Sequence, residues 1–485
     1  MEFHTIITHE YPDLDAMLCC YLLQQYGEKR YPGISKAKLC FYPAGRLPDN
    51  KTPEELEKEG ILAVDIGGGK LDTHPDGITL EKEKLTLSAS NLVAQDLGVE
   101  NKESLKDILE FTRLQDSAGQ SLRSKNPIDH TTALPNIIRG ALIHFGNNFL
   151  GMTQFFLEVF QSIEASFSGI SLLGHELNPG MQEEIFENLN LKKIMALYLC
   201  ERHLQCKLTE EMYISEKYFD HFVQSKGIES IPEFQKIISF VKNLKPRSYF
   251  LQANTSKDQI VGLPNILKGF YHLYRNNPEG IYKPIFLLFD CIVSYEKSWQ
   301  DALVEYKTKS KIYQLDKIKI VAIEAQSALV VKAARFQDKA DIVIYKDETR
   351  LHISISVNKL GKLKNFTFRR LAAKLRIAEM LSGYTIAAPI SEIPFYEVGE
   401  VVGWFLHQSQ KLLVHGSPKA HREPSLMPFE LILEIALTEW DMNKKIPDRF
   451  CPVDNCIYEE CPFYALRLHN CFLHREKLRI SDKPL

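Results

Sequence analysis

Apolar positions along this chain follow two periods, and each change of period marks a change of element. Residues 3–8 (FHTIIT) form a short run rich in β-branched side chains, and residues 16–26 carry apolar side chains at helical spacing up to Gly27. Residues 61–65 (ILAVD) read as a buried strand ending in a carboxylate, and Ile66-Gly67-Gly68-Gly69 permits a tight turn behind it. Two helices follow, one over 88–97 capped by Ser88 and closed by Gly98, the other over 104–114 leading to Asp116. Together these predict an α/β lobe with a parallel sheet over residues 1–120. Periodic apolar residues with Pro near helix starts predict an α-rich insertion over 121–312. Strand-like runs return at 318–323, 341–345 and 351–357, with helices over 327–335 and 368–381, and predict a smaller α/β lobe over 313–445. A strand and turn pair (403–407 and 414–417) and a helix over 426–442 lead into a final module, 446–485.

The helical region repeats itself. Residues 129–148 (DHTTALPNIIRGALIHFGNN) recur without a gap as residues 258–277 (DQIVGLPNILKGFYHLYRNN). Leu134-Pro135-Asn136-Ile137 matches Leu263-Pro264-Asn265-Ile266, Arg139-Gly140 matches Lys268-Gly269, and Asn147-Asn148 matches Asn276-Asn277. An apolar segment follows each copy, at 155–163 and 285–292. The agreement marks a duplicated helical unit, with too few copies for a solenoid. Its shared residues suit packing, and such a lobe offers a lid, a substrate groove or a dock for a protein partner.

With 485 residues, 45% of them hydrophobic, the chain has apolar material for several cored domains. Its 59 basic residues against 62 acidic ones exclude a global basic field, so any nucleic-acid contact is local. No apolar run reaches the ~18 residues of a membrane span, and no apolar leader follows Met1, which predicts a cytoplasmic protein without membrane association. Cys19, Cys20, Cys40, Cys200, Cys206 and Cys291 are scattered, as expected of reduced thiols. Cys451, Cys456, Cys461 and Cys471 instead cluster as C-x4-C-x4-C-x9-C, with His469 and His474 alongside. Four such thiolates close a structural Zn²⁺ site, or alternatively hold an iron-sulfur cluster. Disulfides are the lesser reading.

Candidate chemistry sits where the first strand runs into the first helix, at His9, Asp13 and Asp15. Side chains at the carboxyl ends of strands face the crevice in which open α/β sheets bind ligands. An imidazole with hard carboxylate oxygens suits Mn²⁺ or Mg²⁺. The plainer reading is a turn whose carboxylates cap a helix. Asp65, Asp72-Thr73-His74 and Asp116 extend the set. In this order the residues resemble the four motifs of the DHH phosphoesterase superfamily, which includes oligoribonucleases and family II pyrophosphatases. The first motif matches His9, Asp13 and Asp15, the second Asp65, the name-giving Asp-His-His Asp72-Thr73-His74, and the fourth Asp116. The glycine-rich turn after Asp65 looks most like the branch of exonuclease-like proteins related to melanocyte-proliferating gene product. The resemblance covers residues 1–120, about a quarter of the chain.

The resemblance implies two divalent ions, usually manganese, bridged by a shared Asp, and in-line attack of water on phosphorus. His9, Asp13 and Asp65 would hold one ion, and Asp15, Asp65 and Asp116 the other. His74 would face the substrate phosphate or ligate, which makes His74, Asp13 and Asp65 the implied catalytic set. Thr73 departs from the pattern, offering a neutral hydroxyl where the family supplies an imidazole. The lobe over 313–445 looks like the small domain that such proteins place over the substrate. Its basic run is Lys359, Lys362, Lys364, Arg369, Arg370, Lys374 and Arg376. Arg369 and Arg370, at a helix start, suit phosphate binding, although a solvated basic face is the plainer reading. The expected function is a metal-dependent phosphodiesterase or exonuclease acting on short or single-stranded nucleic acid or a nucleotide signal. The alternative is a DHH-like nucleotide sensor or complex scaffold that has lost catalysis.

Overall fold

The first β-rich run is a strand, β1 (Thr5–His9), and Asp13 starts the helix behind it, α1 (Leu14–Tyr26), by accepting a hydrogen bond from the Ala16 amide at 3.3 Å. β2 (Lys38–Tyr42), α2 (Pro53–Glu57) and β3 (Ile61–Ala63) complete a three-stranded sheet in the order β2-β1-β3. Both pairings are parallel, with Thr5 opposite Lys38 on one side and Ile61 on the other. The computed structural model describes residues 1–73, 87–117, 132–171, 191–206, 216–243, 262–274, 276–315, 317–358, 361–363, 365–386, 392–416 and 422–440. His74, Lys359, Lys364, Cys451, Cys456, Cys461, Cys471, His469 and His474 lie outside the described residues. The chain divides into two compact units, Met1–Gln300 and Asp301–Leu485.

Helices fill the rest of the first unit: α3 (Ala89–Leu97), α4 (Glu103–Ser117), α5 (Leu134–Phe145), α6 (Phe149–Ser171), α7 (Leu191–Leu199), α8 (Glu216–Ser225), α9 (Pro232–Asn243), α10 (Leu263–Tyr274) and α11 (Tyr282–Lys309). One hydrophobic core runs from Phe3 to Ile292. Every residue of α1 from Leu14 to Leu23 is buried, because α1 packs against α3 and α6 as well as the sheet. Glu164 on α6 pins it from the side, accepting hydrogen bonds from the Tyr21 and Tyr26 hydroxyls.

The duplication folds as two helix pairs, α5–α6 and α10–α11, that cross reciprocally. At the start of the copies, Ala133 pairs antiparallel with Gly262. Asn148 and Asn277 occupy matching places, each accepting a backbone hydrogen bond three residues on, from Gly151 at 3.0 Å and Gly280 at 3.3 Å. Gly140 of the first copy lies against the backbone of Cys291 in the second, where a methyl group would fall 1.8 Å from the carbonyl oxygen. Gly269 of the second copy lies against Ser162 in the first, where a methyl would fall 1.7 Å from the carbonyl oxygen. Gly269 and Cys291 stand at the same offset from Gly140 and Ser162 as the two copies do. The arrangement is therefore a pseudo-two-fold, with each first helix seated on the other copy's second helix.

In the second unit, β4 (Lys311–Leu315), β5 (Ile318–Ala325), α12 (Val330–Gln337), β6 (Ile342–Asp347), β7 (Ile353–Val357), α13 (Arg369–Leu381), β8 (Gly399–Val401), β9 (Trp404–Leu406), β10 (Leu412–His415) and α14 (Phe429–Trp440) follow in turn. The sheet has seven strands in the order β4-β5-β6-β7-β10-β9-β8, and only β5–β6, joined through α12, is parallel. Ile320, Ile344 and Ile355 pack with Leu371 and Leu375 of α13 and Ile432 and Ile435 of α14. Arg376, fully buried, donates to the carbonyls of Phe395 (2.6 Å), Glu397 (2.8 Å), Gly399 (2.8 Å) and Trp404 (3.1 Å). One turn on, buried Glu379 accepts from the Trp404 indole (3.0 Å), the Ser425 hydroxyl (2.6 Å) and the Leu426 amide (2.6 Å). His415 is buried beside it, its Nε2 3.8 Å from Glu379 and its ring edge-on to Trp404. Among the described residues no helix is long and apolar enough to cross a membrane.

Candidate metal centre

β1 is the middle strand, so its carboxyl end is flanked by the ends of both neighbours, and His9 is its last residue. The buried His9 ring is oriented by its Nδ1–H, which donates to the Glu10 carbonyl at 2.8 Å. That leaves Nε2 facing the carboxylates, the arrangement in which an imidazole ligates a metal ion. Nε2 lies 3.3 Å from Asp65 Oδ2 and 3.7 Å from Asp13 Oδ2. One donor atom from each of the three residues lies within 4.8 Å of the other two. Among the described residues this is the group able to hold a metal ion.

Asp65 reaches this place through an uncommon backbone. Val64 donates to the Ile7 carbonyl at 2.9 Å, continuing the β3 ladder, and Asp65 then turns into the left-handed region with φ 52. Its own amide bonds back to the Leu71 carbonyl at 3.1 Å. Gly67 (φ 83) and Gly68 (φ 72) close the loop. A non-glycine residue held at positive φ costs of order 1 kcal/mol and recurs where a side chain must be aimed. The donor set fits a divalent cation: one imidazole nitrogen and two carboxylates, one buried and one half-exposed toward solvent.

The remaining expected ligands are placed differently. Asp15 is buried and points across α1 to the start of α3, accepting from the Ala89 amide at 2.7 Å and the Ser90 amide at 2.9 Å. Burial, with Asp65 and Asp116 adding negative charge, pushes its carboxyl well above the ordinary carboxylate range, although Ser90 pulls it back. Asp116 sits exposed near the end of α4. Neither Asp15 nor Asp116 belongs to the His9–Asp13–Asp65 group. Asp72 is buried and accepts from the Gly68 amide at 2.8 Å, which ties the glycine loop, and Thr73 is buried after it. In the second unit, Arg370 pairs with Glu439 at 3.2 Å, while Arg369 donates to the Tyr396 carbonyl at 3.2 Å. Lys374 is buried on Glu439 at 2.5 Å.

The Glu10 carbonyl, which orients His9 without ligating, and the α3 amides, which hold Asp15 outside the group, were missed from sequence. These are backbone groups and carry no residue-type signature. The one available signal was Ser88 capping α3, which marks where a cluster of free amides begins. No protein-family model matches the chain, and no curated protein matches it.

Proposed function

We propose that the first unit contains a DHH-like phosphoesterase lobe, that the second supplies a substrate-capping domain, and that 446–485 is a four-cysteine metal module. The proposed reaction is hydrolysis of phosphodiester bonds in short or single-stranded nucleic acid or in a nucleotide signal. The observation that carries it is the convergence of His9, Asp13 and Asp65, from two parallel strand ends and a helix start, on one point. A bound Mn²⁺ or Mg²⁺ would supply Lewis acidity toward a phosphoryl oxygen and toward water. His9 would hold such an ion through Nε2, fixed in that tautomer by Glu10. Asp65, aimed by its left-handed backbone, would hold it from the buried side. Asp13, half-exposed, would lie on the side from which substrate approaches. His74, Arg369 and Arg370 remain the proposed phosphate-facing residues.

A second reading, a nucleotide sensor or scaffold on the same lobe, is favoured by the Asp15 and Thr73 geometry. Both Asp15 oxygens already receive α3 amides, and Thr73 brings no imidazole. On that reading the centre holds one ion and binds its ligand without turnover.

Titration calorimetry with Mn²⁺ and hydrolysis of oligonucleotides, cyclic dinucleotides and pyrophosphate test the proposal. Binding and turnover are expected, both abolished in Asp65→Asn with the fold retained. A protein that binds no manganese and leaves all three substrates intact refutes the enzyme. Thr73→His separates the readings, because a weakened second site predicts higher manganese affinity and activity, and a remodelled binding pocket predicts neither.

A further inference from the structure

We infer that Cys200 and Cys206 form a reversible thiol-oxidation site that closes as an intramolecular disulfide when the protein meets a hydroperoxide. The helix α7 ends in a widened π-type turn over Cys200–Leu204, and Gln205 then adopts the left-handed conformation (φ 49). This reversal carries Cys206 back over the helix end, where its amide donates to the Cys200 carbonyl at 3.1 Å. The two sulfurs stand 3.2 Å apart. A disulfide needs ~2.05 Å, so the sulfurs must close by about 1.2 Å, and the amide–carbonyl bond already ties the two backbones together.

The two thiols have different surroundings, and the difference assigns their roles. Cys206 is exposed and meets solvent first, whereas Cys200 is buried. Burial, followed by the neighbouring Cys206, pushes the Cys200 thiol up to about 12, so it stays protonated while Cys206 reacts. Cys206 thiolate attacks one peroxide oxygen, forming an S–O bond as the O–O bond breaks, and leaves as a sulfenic acid with release of hydroxide or water. The Cys200 sulfur then attacks the Cys206 sulfur, the S–S bond forms as the S–O bond breaks, and the Cys200 proton leaves with the departing hydroxide as water. The pair gives up two electrons and two protons, and the peroxide is reduced to water. A dithiol reductant reverses the change. In an otherwise reduced protein, disulfides of this kind are transient.

Trypsin separates the cysteines, since Arg202 lies between them, and releases 194–202 and 203–207 as distinct peptides. The full-length protein, treated with hydrogen peroxide, alkylated and digested, is expected to yield these two peptides cross-linked. The link should disappear on treatment with dithiothreitol and should form several-fold faster in the native protein than in urea. Cys200→Ser should leave Cys206 as a sulfenic acid that dimedone traps. Cys206→Ser, at an exposed position, should leave Cys200 as unreactive as buried Cys19 and Cys291. Cys206 oxidised to sulfinic acid in the native protein while Cys200 remains alkylatable would overturn the assignment. So would a link that forms no faster in the native protein than in the unfolded chain.

Discussion

Lowering the pH through the histidine range should destabilise the second unit through His415, by an amount its surroundings set. Burial, followed by the nearby His352, pushes the His415 imidazole down from 6.5 to about 4. The opposing influence is Glu379, 3.8 Å from Nε2. At that distance it is no hydrogen-bond acceptor for His415, and its oxygens are already taken up by Trp404, Ser425 and Leu426. Desolvation therefore wins. His352 adds to it from the other side, donating from Nδ1 to the His415 carbonyl at 3.1 Å while its own pKa is also lowered by burial. With the folded value depressed, the unfolded chain binds the extra proton, so this stability is complete above pH ~6.5 and falls as pH drops toward 4. A shift of this size, at 1.36 kcal/mol per unit, corresponds to about 3 kcal/mol. Urea unfolding at neutral pH and near pH 4.5, compared between wild type and His415→Leu, should show a pH-dependent difference of that order. Ring-proton titration by NMR gives the decisive result. A His415 value above 6.5 would mean that Glu379 holds an imidazolium, and the reasoning would fail.

Two further outcomes follow from the packing. Gly140→Ala and Gly269→Ala place a methyl against backbone carbonyl oxygens at 1.8 and 1.7 Å, so the ~1 kcal/mol that alanine normally adds to a helix should reverse into a loss of about 3 kcal/mol in urea unfolding. Similar losses from the two variants are expected, since the sites are equivalent, and a stabilised Gly269→Ala would contradict the crossing. Arg376→Met should cost about 3 kcal/mol, because it removes the donors of four buried carbonyls while relieving a guanidinium that burial has lowered to about 10. A Tm unchanged from wild type would show that water reaches those carbonyls.

The centre was legible where residue type and strand ends coincide. His9 ends β1, Asp65 lies just past the end of the adjacent parallel β3, and Asp13 follows His9 by four residues, so the strand runs and the residue types already point to one sheet edge. Asp15 was not legible, because the orientation of a carboxylate in a first helical turn depends on what packs above it. Here that is α3, arriving more than 70 residues later. β2 escaped notice because Lys38-Leu39-Cys40-Phe41-Tyr42 is an edge strand with little alternation, and β4 because most of its residues are exposed. The basic run was misleading at Arg376 and Lys374. A solvated face was the natural reading, but carbonyls at 395–404 and Glu439 draw these two cations into the interior. The duplication was visible as repeated letters, with glycine in mid-helix twice. Its reciprocal crossing required knowing which carbonyl each glycine approaches.

That crossing also sets a timetable for synthesis. The seat of Gly140 is the backbone of Cys291, about 150 residues further along the chain. At a translation rate of ~5–20 residues per second, the first copy leaves the ribosome roughly 8–30 s before its mate exists. For that interval the α5 face destined for α11 has no cover. The second copy never waits, since α6 is already made when α10 emerges. Two helix pairs of one design thus have opposite folding histories, and an arrested chain ending between residues 163 and 282 would be the species that chaperones meet.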